Sequence, residues 1–136
     1  MGEGSSSVNH RTVLADTSFF IAIETGRPLR AEAPQRYQVS TITIGELRAG
    51  VLSASDERSR AARLRTLTKA LETEPLPVDD QVSVAWAELR SALRAEGRRM
   101  PANDSWIAAT AIAHGLPVVT QDDDYDGTPG LEVIKL

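Results

Sequence analysis

The chain has 136 residues, enough for one domain with a buried core. Apolar residues make up 41% and charged residues 25%, an ordinary globular balance, and no apolar run approaches the ~20 residues that a membrane-spanning helix needs. The absence of cysteine excludes a disulfide framework, a thiolate zinc site and a cysteine nucleophile, and fits a cytoplasmic protein; the net charge of −4 argues against a uniformly basic nucleic-acid binder but says little about local surfaces.

Residues 1–10 begin with a Gly- and Ser-rich stretch without an apolar signal core, and are expected to form a disordered lead-in to a single domain over 11–136. Thr12 to Ala15 reads as a short buried strand ending at Asp16. Asp16, Thr17 and Ser18 then cap a helix through Phe19 to Ile23, stopped by Gly26 and Pro28. Tyr37 to Ser40 suggests a second strand, followed by a helix capped at Thr41 or Thr43 and carrying Gly45, Glu46, Leu47 and Val51. Ser55 and Asp56 open another helix, with Ala62, Leu64, Leu67 and Leu71 near helical spacing. Thr73 to Val78 holds Pro75 and Pro77, so a strand there is short or at an edge.

Asp79 and Asp80 open a long helix with Val82, Ala85, Trp86, Leu89 and Leu93 on one stripe, ended by Gly97. A basic loop, Arg98 to Asn103, leads to Asp104 at the start of a helix that runs to Gly115. Pro117 to Thr120 reads as a buried strand, Gln121 to Asp126 as an acidic loop, and Leu131 to Ile134 as a final strand. Strands alternating with helices imply parallel pairing through crossovers, hence a three-layer α/β/α sandwich.

Ligands of open parallel sheets bind beyond the C-terminal strand ends. Asp16 directly follows the first strand, and Asp122 follows the Val118–Thr120 strand by two residues. Glu46 lies early in a helix that follows a strand, and Asp104 opens the helix before the Asp122 strand. Taken singly, each acid is ordinary: an N-cap, a solvated helix residue, a dipole partner or a polar loop. Gathered in one cleft, they repel one another, and a hard cation such as Mg²⁺ or Mn²⁺ removes that repulsion. Such a site needs no histidine: His10 lies in the lead-in and His114 ends a helix away from the acids.

Four segments resemble the PIN-domain family, specifically its VapC-type toxins. Asp16-Thr17-Ser18 is similar to the family's opening D-T/S-S motif, and Thr43 to Gly50 to the helix built around its glutamate. Asn103 to Ala109 resembles N-D-x-x-I-A-A, and Val118 to Tyr125 resembles V-T-x-D/N-x-D-F, with Tyr125 in place of Phe. The resemblance runs from about Thr12 to Leu136, with the four motifs in order. It implies a central parallel sheet of about five strands and a Mg²⁺- or Mn²⁺-dependent endoribonuclease that arrests growth by cleaving RNA. It also implies inhibition by a cognate antitoxin, and a homodimer. By motif position Asp16, Glu46, Asp104 and Asp122 carry over as the catalytic, metal-binding acids, with Asp124 an alternative fourth acid and Thr120 supporting them through its hydroxyl.

Arg98 and Arg99 can meet RNA phosphates or be solvated loop charges; Trp106 can stack a base or fill the core. Phe19, Phe20 and the helix after Thr43 can line an apolar groove for an antitoxin helix or pack internally. Other classes fit less well. A receiver-like module would want paired acids at the first strand and a lysine after a late strand. An aspartyl phosphatase would want D-x-D-x-T, but Ser18 occupies the second acidic position. A catalytically inactive PIN scaffold is the remaining alternative.

Overall fold

The computed structural model describes residues 11–136; the expected lead-in over 1–10, with His10, lies outside the described residues. In chain order the elements are β1 (Thr12–Ala15), α1 (Thr17–Thr25), β2 (Arg36–Gln38), α2 (Thr41–Leu52), α3 (Glu57–Leu71), α4 (Asp80–Ala95), α5 (Ala102–His114), β3 (Val118–Thr120), a 3-10 turn (Asp123–Tyr125) and β4 (Val133–Lys135). The four strands form one parallel sheet in the order β2-β1-β3-β4.

Alternation along the strands divides the core in two. Val13 and Ala15 of β1 and Val119 of β3 point to one face, against Phe19 and Phe20 of α1, Ile44 and Leu47 of α2, and Leu67 and Ala70 of α3. Leu14 and Val118 point to the other, against Leu89 and Leu93 of α4 and Ile107, Ala108 and Ala111 of α5. Both faces are therefore covered, which is why the strands read as unbroken apolar runs rather than alternating ones. This is the expected α/β/α sandwich.

Among the described residues the sheet has four strands where about five were expected. The segment with Pro75 and Pro77 contributes a single bridge, Ser40 to Leu76. Leu76 donates to Val39 O (2.8 Å) and accepts from Thr41 N (3.0 Å). The prolines on either side have no N–H to extend the ladder.

Local chemistry sets the helix ends. Asp56 and Asp79 cap α3 and α4 by accepting from Ser59 N and Val82 N. The cap of α2 is Ser40, one residue before Thr41 and three before Thr43, the caps expected: its hydroxyl accepts from Ile42 N at 3.0 Å. Gly26 and Gly115 close α1 and α5 in the left-handed conformation (φ 73° and 66°), which a residue with a Cβ adopts only at a cost. Phe19, Phe20 and Leu47 are all core residues; the apolar side chains that α1 leaves exposed are Ile21 (44%) and Ile23 (54%).

The topology places the site. From β1 the chain moves to β2 on one side; from β3 it moves to β4 on the other. The gap beyond the C-terminal ends of β1 and β3 is thus a topological switch point, where open α/β sheets bind ligands. Leu14, fully buried between β3 and helices α4 and α5, tests this core. Leu14→Ala is expected to lower unfolding free energy by about 2–5 kcal/mol, whereas Leu52→Ala, at a side chain 84% exposed, should stay within about 0.5 kcal/mol. Chemical denaturation of both variants measures the difference.

Candidate functional site

Asp16 occupies the switch point and is 1% exposed. It caps α1, accepting from Phe19 N (3.2 Å), and its two carboxylate oxygens each take a hydroxyl proton: Oδ1 from Ser18 (2.8 Å) and Oδ2 from Thr120 (2.8 Å). Those hydroxyls also accept backbone protons, Ser18 from Gln121 N (2.9 Å) and Thr120 from Asp122 N (2.9 Å). One small network therefore ties the end of β1 to the loop after β3. The capping role and the site role of Asp16 coexist. Burial pushes its carboxyl up to about 6, with the hydrogen bonds from Ser18, Thr120 and Phe19 opposing the rise.

Asp104, Asp122 and Asp124 come together. One oxygen of each lies within 4.8 Å of the others. Asp104 sits in the first turn of α5, whose start at Pro101 lacks a side-chain cap. Burial, followed by the charges of Asp124 and Asp122, pushes its carboxyl up to about 7. Asp122 is also raised, by burial and then by Asp124. Tyr125, fully buried, donates its hydroxyl to Asp104 Oδ1 at 3.3 Å, and burial and the neighbouring carboxylates raise that phenol far above its usual range.

The 3-10 turn sorts three consecutive acids. Asp122 and Asp124 face Asp104, while Asp123 pairs with Lys135 Nζ at 2.5 Å, which pulls its carboxyl below the usual range. Asp122 and Asp124, alternatives in sequence, are thus both in the cluster.

Asp16 and Glu46 stand outside the 4.8 Å group and couple to it. The charge of Asp16 contributes to raising Asp104, and that of Glu46 to raising Asp122. Glu46 accepts from Thr17 Oγ1 on Oε1 and from Asn103 Nδ2 (3.0 Å) on Oε2, linking α1, α2 and α5. Ser18, Thr17, Asn103 and Tyr125 were not singled out as site residues from sequence. All four lie within the quoted motifs, which was the available signal.

The oxygen set suits a hard cation. Opposite ligands of an octahedral ion with bonds of ~2.1 Å lie ~4.2 Å apart, so separations up to 4.8 Å close by small side-chain rotations. Among the described residues no nitrogen or sulfur donor joins the set, and an all-carboxylate set suits a hard divalent cation better than a soft one.

The two arginines of the α4–α5 loop differ. Arg98 Nη1 donates to Gly127 O (2.6 Å) and Glu96 Oε1 (3.1 Å), and Nη2 to Asp126 O (2.7 Å), so this guanidinium fastens the acidic loop. Arg99 is exposed and has no partner among the described residues. Trp106 stacks on Trp86 (centroids 4.2 Å apart, 1° between planes) and not on an open face.

Carboxyls raised in the folded state bind protons more tightly there than in the unfolded chain. Their contribution to stability is present below about pH 4 and is lost as pH rises through about 6 and 7 for Asp16 and Asp104. In a chelating buffer the melting temperature is therefore expected to fall between pH 4 and pH 7.5. Asp104→Asn should flatten that decline, and Mn²⁺ should raise the melting temperature of the unsubstituted chain more at pH 7.5 than at pH 5. Thermal denaturation across pH, with and without Mn²⁺, checks all three.

The family model described as the PIN domain matches residues 13–131. Ribonuclease VapC4 of Mycobacterium tuberculosis (strain ATCC 25618 / H37Rv) is 53% identical over 131 residues, spanning 95% of this chain and 100% of that protein. Ribonuclease VapC5 of the same strain is 48% identical over 125 residues, spanning 89% and 93%. Among solved structures, VapBC-5 from Mycobacterium tuberculosis, described as a member of the VapBC family of toxin-antitoxin systems, superposes with a TM-score of 0.82 at 44% identity, over 92% of this chain and 98% of that one. With the family model covering most of the sequence and relatives this similar along nearly their whole length, this chain belongs to the PIN domain family, among its VapC-type members.

Proposed function

We propose that this protein is the toxin of a toxin–antitoxin pair, a divalent-metal-dependent endoribonuclease that cleaves cellular RNA in the cytoplasm, arrests growth and is neutralised by a cognate antitoxin. The observation that carries the reading is the convergence of Asp104, Asp122 and Asp124, backed by Asp16, at the switch point of the sheet. The similarity to VapC ribonucleases and to a VapBC toxin–antitoxin complex supports the same conclusion.

Asp104, Asp122 and Asp124 would hold Mg²⁺ or Mn²⁺, with Asp16 behind them and Glu46 beside them. When bound, the ion neutralises charge at a phosphoryl oxygen and acidifies water. The protein's own groups fix the geometry. Tyr125 stays protonated and orients Asp104. Ser18 and Thr120 hold Asp16 in one rotamer, and Thr17 and Asn103 hold Glu46. Thr120 acts through Asp16 and the Asp122 amide.

A route through the RNA 2′-hydroxyl usually needs a paired acid and base such as His or Lys. His114 is ten residues beyond Asp104 on α5, about 15 Å along the axis. Lys135 is paired with Asp123 and Asp126. Hydrolysis by water is therefore the reading this site favours. The antitoxin would cover the acids with an arginine, whose guanidinium pairs with carboxylates in a bidentate way, and would seat an apolar helix near the exposed Ile21 and Ile23. The family resemblance adds a homodimer to this proposal.

Purified protein is expected to cut RNA with Mg²⁺ or Mn²⁺, to stop in EDTA, and to leave 5′-phosphate and 3′-hydroxyl ends. Asp104→Asn should lower the rate by about a hundredfold or more, the scale on which removing one electrostatic element from an active site acts, and should abolish growth arrest on expression. Cyclic-phosphate ends, or full activity in EDTA, would overturn the mechanism.

A further inference from the structure

The acidic loop ends in a residue that belongs to the core. Tyr125 closes the 3-10 turn directly after Asp124, and it is fully buried in the cluster that holds Leu14, Leu89, Leu93, Ile107 and Val118. Its backbone is held as well. The Tyr125 carbonyl accepts from Thr128 N (3.1 Å) and from Thr128 Oγ1 (2.6 Å), and that threonine is itself buried. A ring packed in the core, on a backbone pinned by two bonds, cannot swing its hydroxyl elsewhere without opening the core. The donor is therefore in place before any ligand arrives.

That hydroxyl has several carboxylates near it and serves one. The charges of Asp16, Asp104 and Asp122 all act on the phenol, and it donates to Asp104 Oδ1 at 3.3 Å. Asp16 is supplied by Ser18, Thr120 and the Phe19 amide, and Glu46 by Thr17 and Asn103. Burial holds the phenol far above its usual range, so it remains a neutral donor and adds no further anion to the cluster. Asp104 thus faces Asp122 and Asp124 with one of its oxygens engaged by a rigid partner.

This engagement bears on how Asp104 can hold a cation. Mg²⁺ demands near-octahedral bonds of ~2.1 Å, whereas Ca²⁺ takes about six to eight oxygens at about 2.3–2.6 Å and accepts carboxylates that chelate with both oxygens. Symmetric chelation needs two equal oxygens and a carboxylate plane free to turn toward the ion. A hydrogen bond on Oδ1, from a donor that cannot follow, opposes both, because it draws electron density from one oxygen and fixes the plane. Selection between the two ions depends on ligand number and on the rigidity of the site, and Tyr125 limits both.

We propose that Tyr125 is a positioning residue that holds Asp104 as a one-oxygen ligand and so makes the acidic site discriminate against Ca²⁺ in favour of small octahedral cations. This rests on the metal-dependent reading above and adds to it a residue that sets which ion is held.

The test is calorimetric titration of the metal-free chain with MgCl₂ and with CaCl₂. Tyr125→Phe removes the hydroxyl and keeps the ring, and Phe is the residue that the V-T-x-D/N-x-D-F pattern has here. The ratio of the Ca²⁺ to the Mg²⁺ dissociation constant is expected to fall about tenfold in this variant, with Mg²⁺ binding weakened and Ca²⁺ binding not. That is the lower end of the roughly 10- to 100-fold range over which groups behind a metal ligand act. Leu93→Ala loosens the same core and leaves the hydroxyl in place. It should keep the ratio of the unsubstituted chain even where it lowers the melting temperature. An unchanged ratio in Tyr125→Phe would overturn the proposal. So would an equal fall in Leu93→Ala, which would make packing and not the hydroxyl the cause. If instead the unsubstituted chain binds neither ion, the metal-dependent reading itself fails and the proposal with it.

Discussion

The buried carboxylate of Asp16 is the constraint on which the site depends. It ends β1, caps α1 and receives a hydroxyl proton from Thr120 at the end of β3. A carboxylate 1% exposed is costly unless its oxygens are satisfied, and this one is satisfied by three donors from two segments distant in sequence. That requirement fixes β1 against β3 at their C-terminal ends, and Thr120 passes the constraint to the Asp122 amide. The loop carrying Asp122 and Asp124 is positioned by the same few hydrogen bonds that stabilise Asp16.

Around this anchor the protein keeps a repulsive arrangement that its fold does not need. Burial and mutual charge raise Asp16, Asp104 and Asp122 together. A sandwich whose two cores are filled by Val, Leu, Ile, Phe and Ala gains nothing in stability from three carboxylates within 4.8 Å. Clustering of that kind marks a functional site more strongly than any one acid does. The surrounding charges confine it. Lys135 draws off Asp123 and Asp126, and Arg98 pins the loop carbonyls. Arg94 and Arg99, in a cleft along α4, have no hydrogen bond or ion pair among the described residues. A net charge of −4 therefore conceals both an acidic centre and a separate arginine-lined cleft.

Much of the fold was legible because each element carries its own signals. The apolar runs at Thr12–Ala15 and Val118–Thr120, the caps at Asp16, Asp56 and Asp79, and the glycine stops at Gly26, Gly97 and Gly115 are local features. They act within a few residues of where they are read. The segment expected to be at most a short or edge strand is reduced to one bridge for an equally local reason: Pro75 and Pro77 leave only Leu76 to pair. The α2 cap falls at Ser40 and not at Thr41 or Thr43, because the three are chemically equivalent as caps until the backbone conformation is known.

The sequence by itself determined the α/β/α class, the strand-end positions of Asp16 and Asp122, and the helix-start position of Asp104, since periodicity and turn chemistry are short-range. Only the tertiary structure decided which of Asp122, Asp123 and Asp124 join Asp104, because a single 3-10 turn and the reach of Lys135 separate neighbours of identical chemistry. It also decided that Arg98 is a loop fastener while Arg99 has no partner among the described residues, and that Trp86 is closed to a base. Those outcomes depend on which carbonyls and rings the packing brings within hydrogen-bond or stacking distance, and contacts of that kind, some spanning more than twenty residues, leave no periodic trace in the chain.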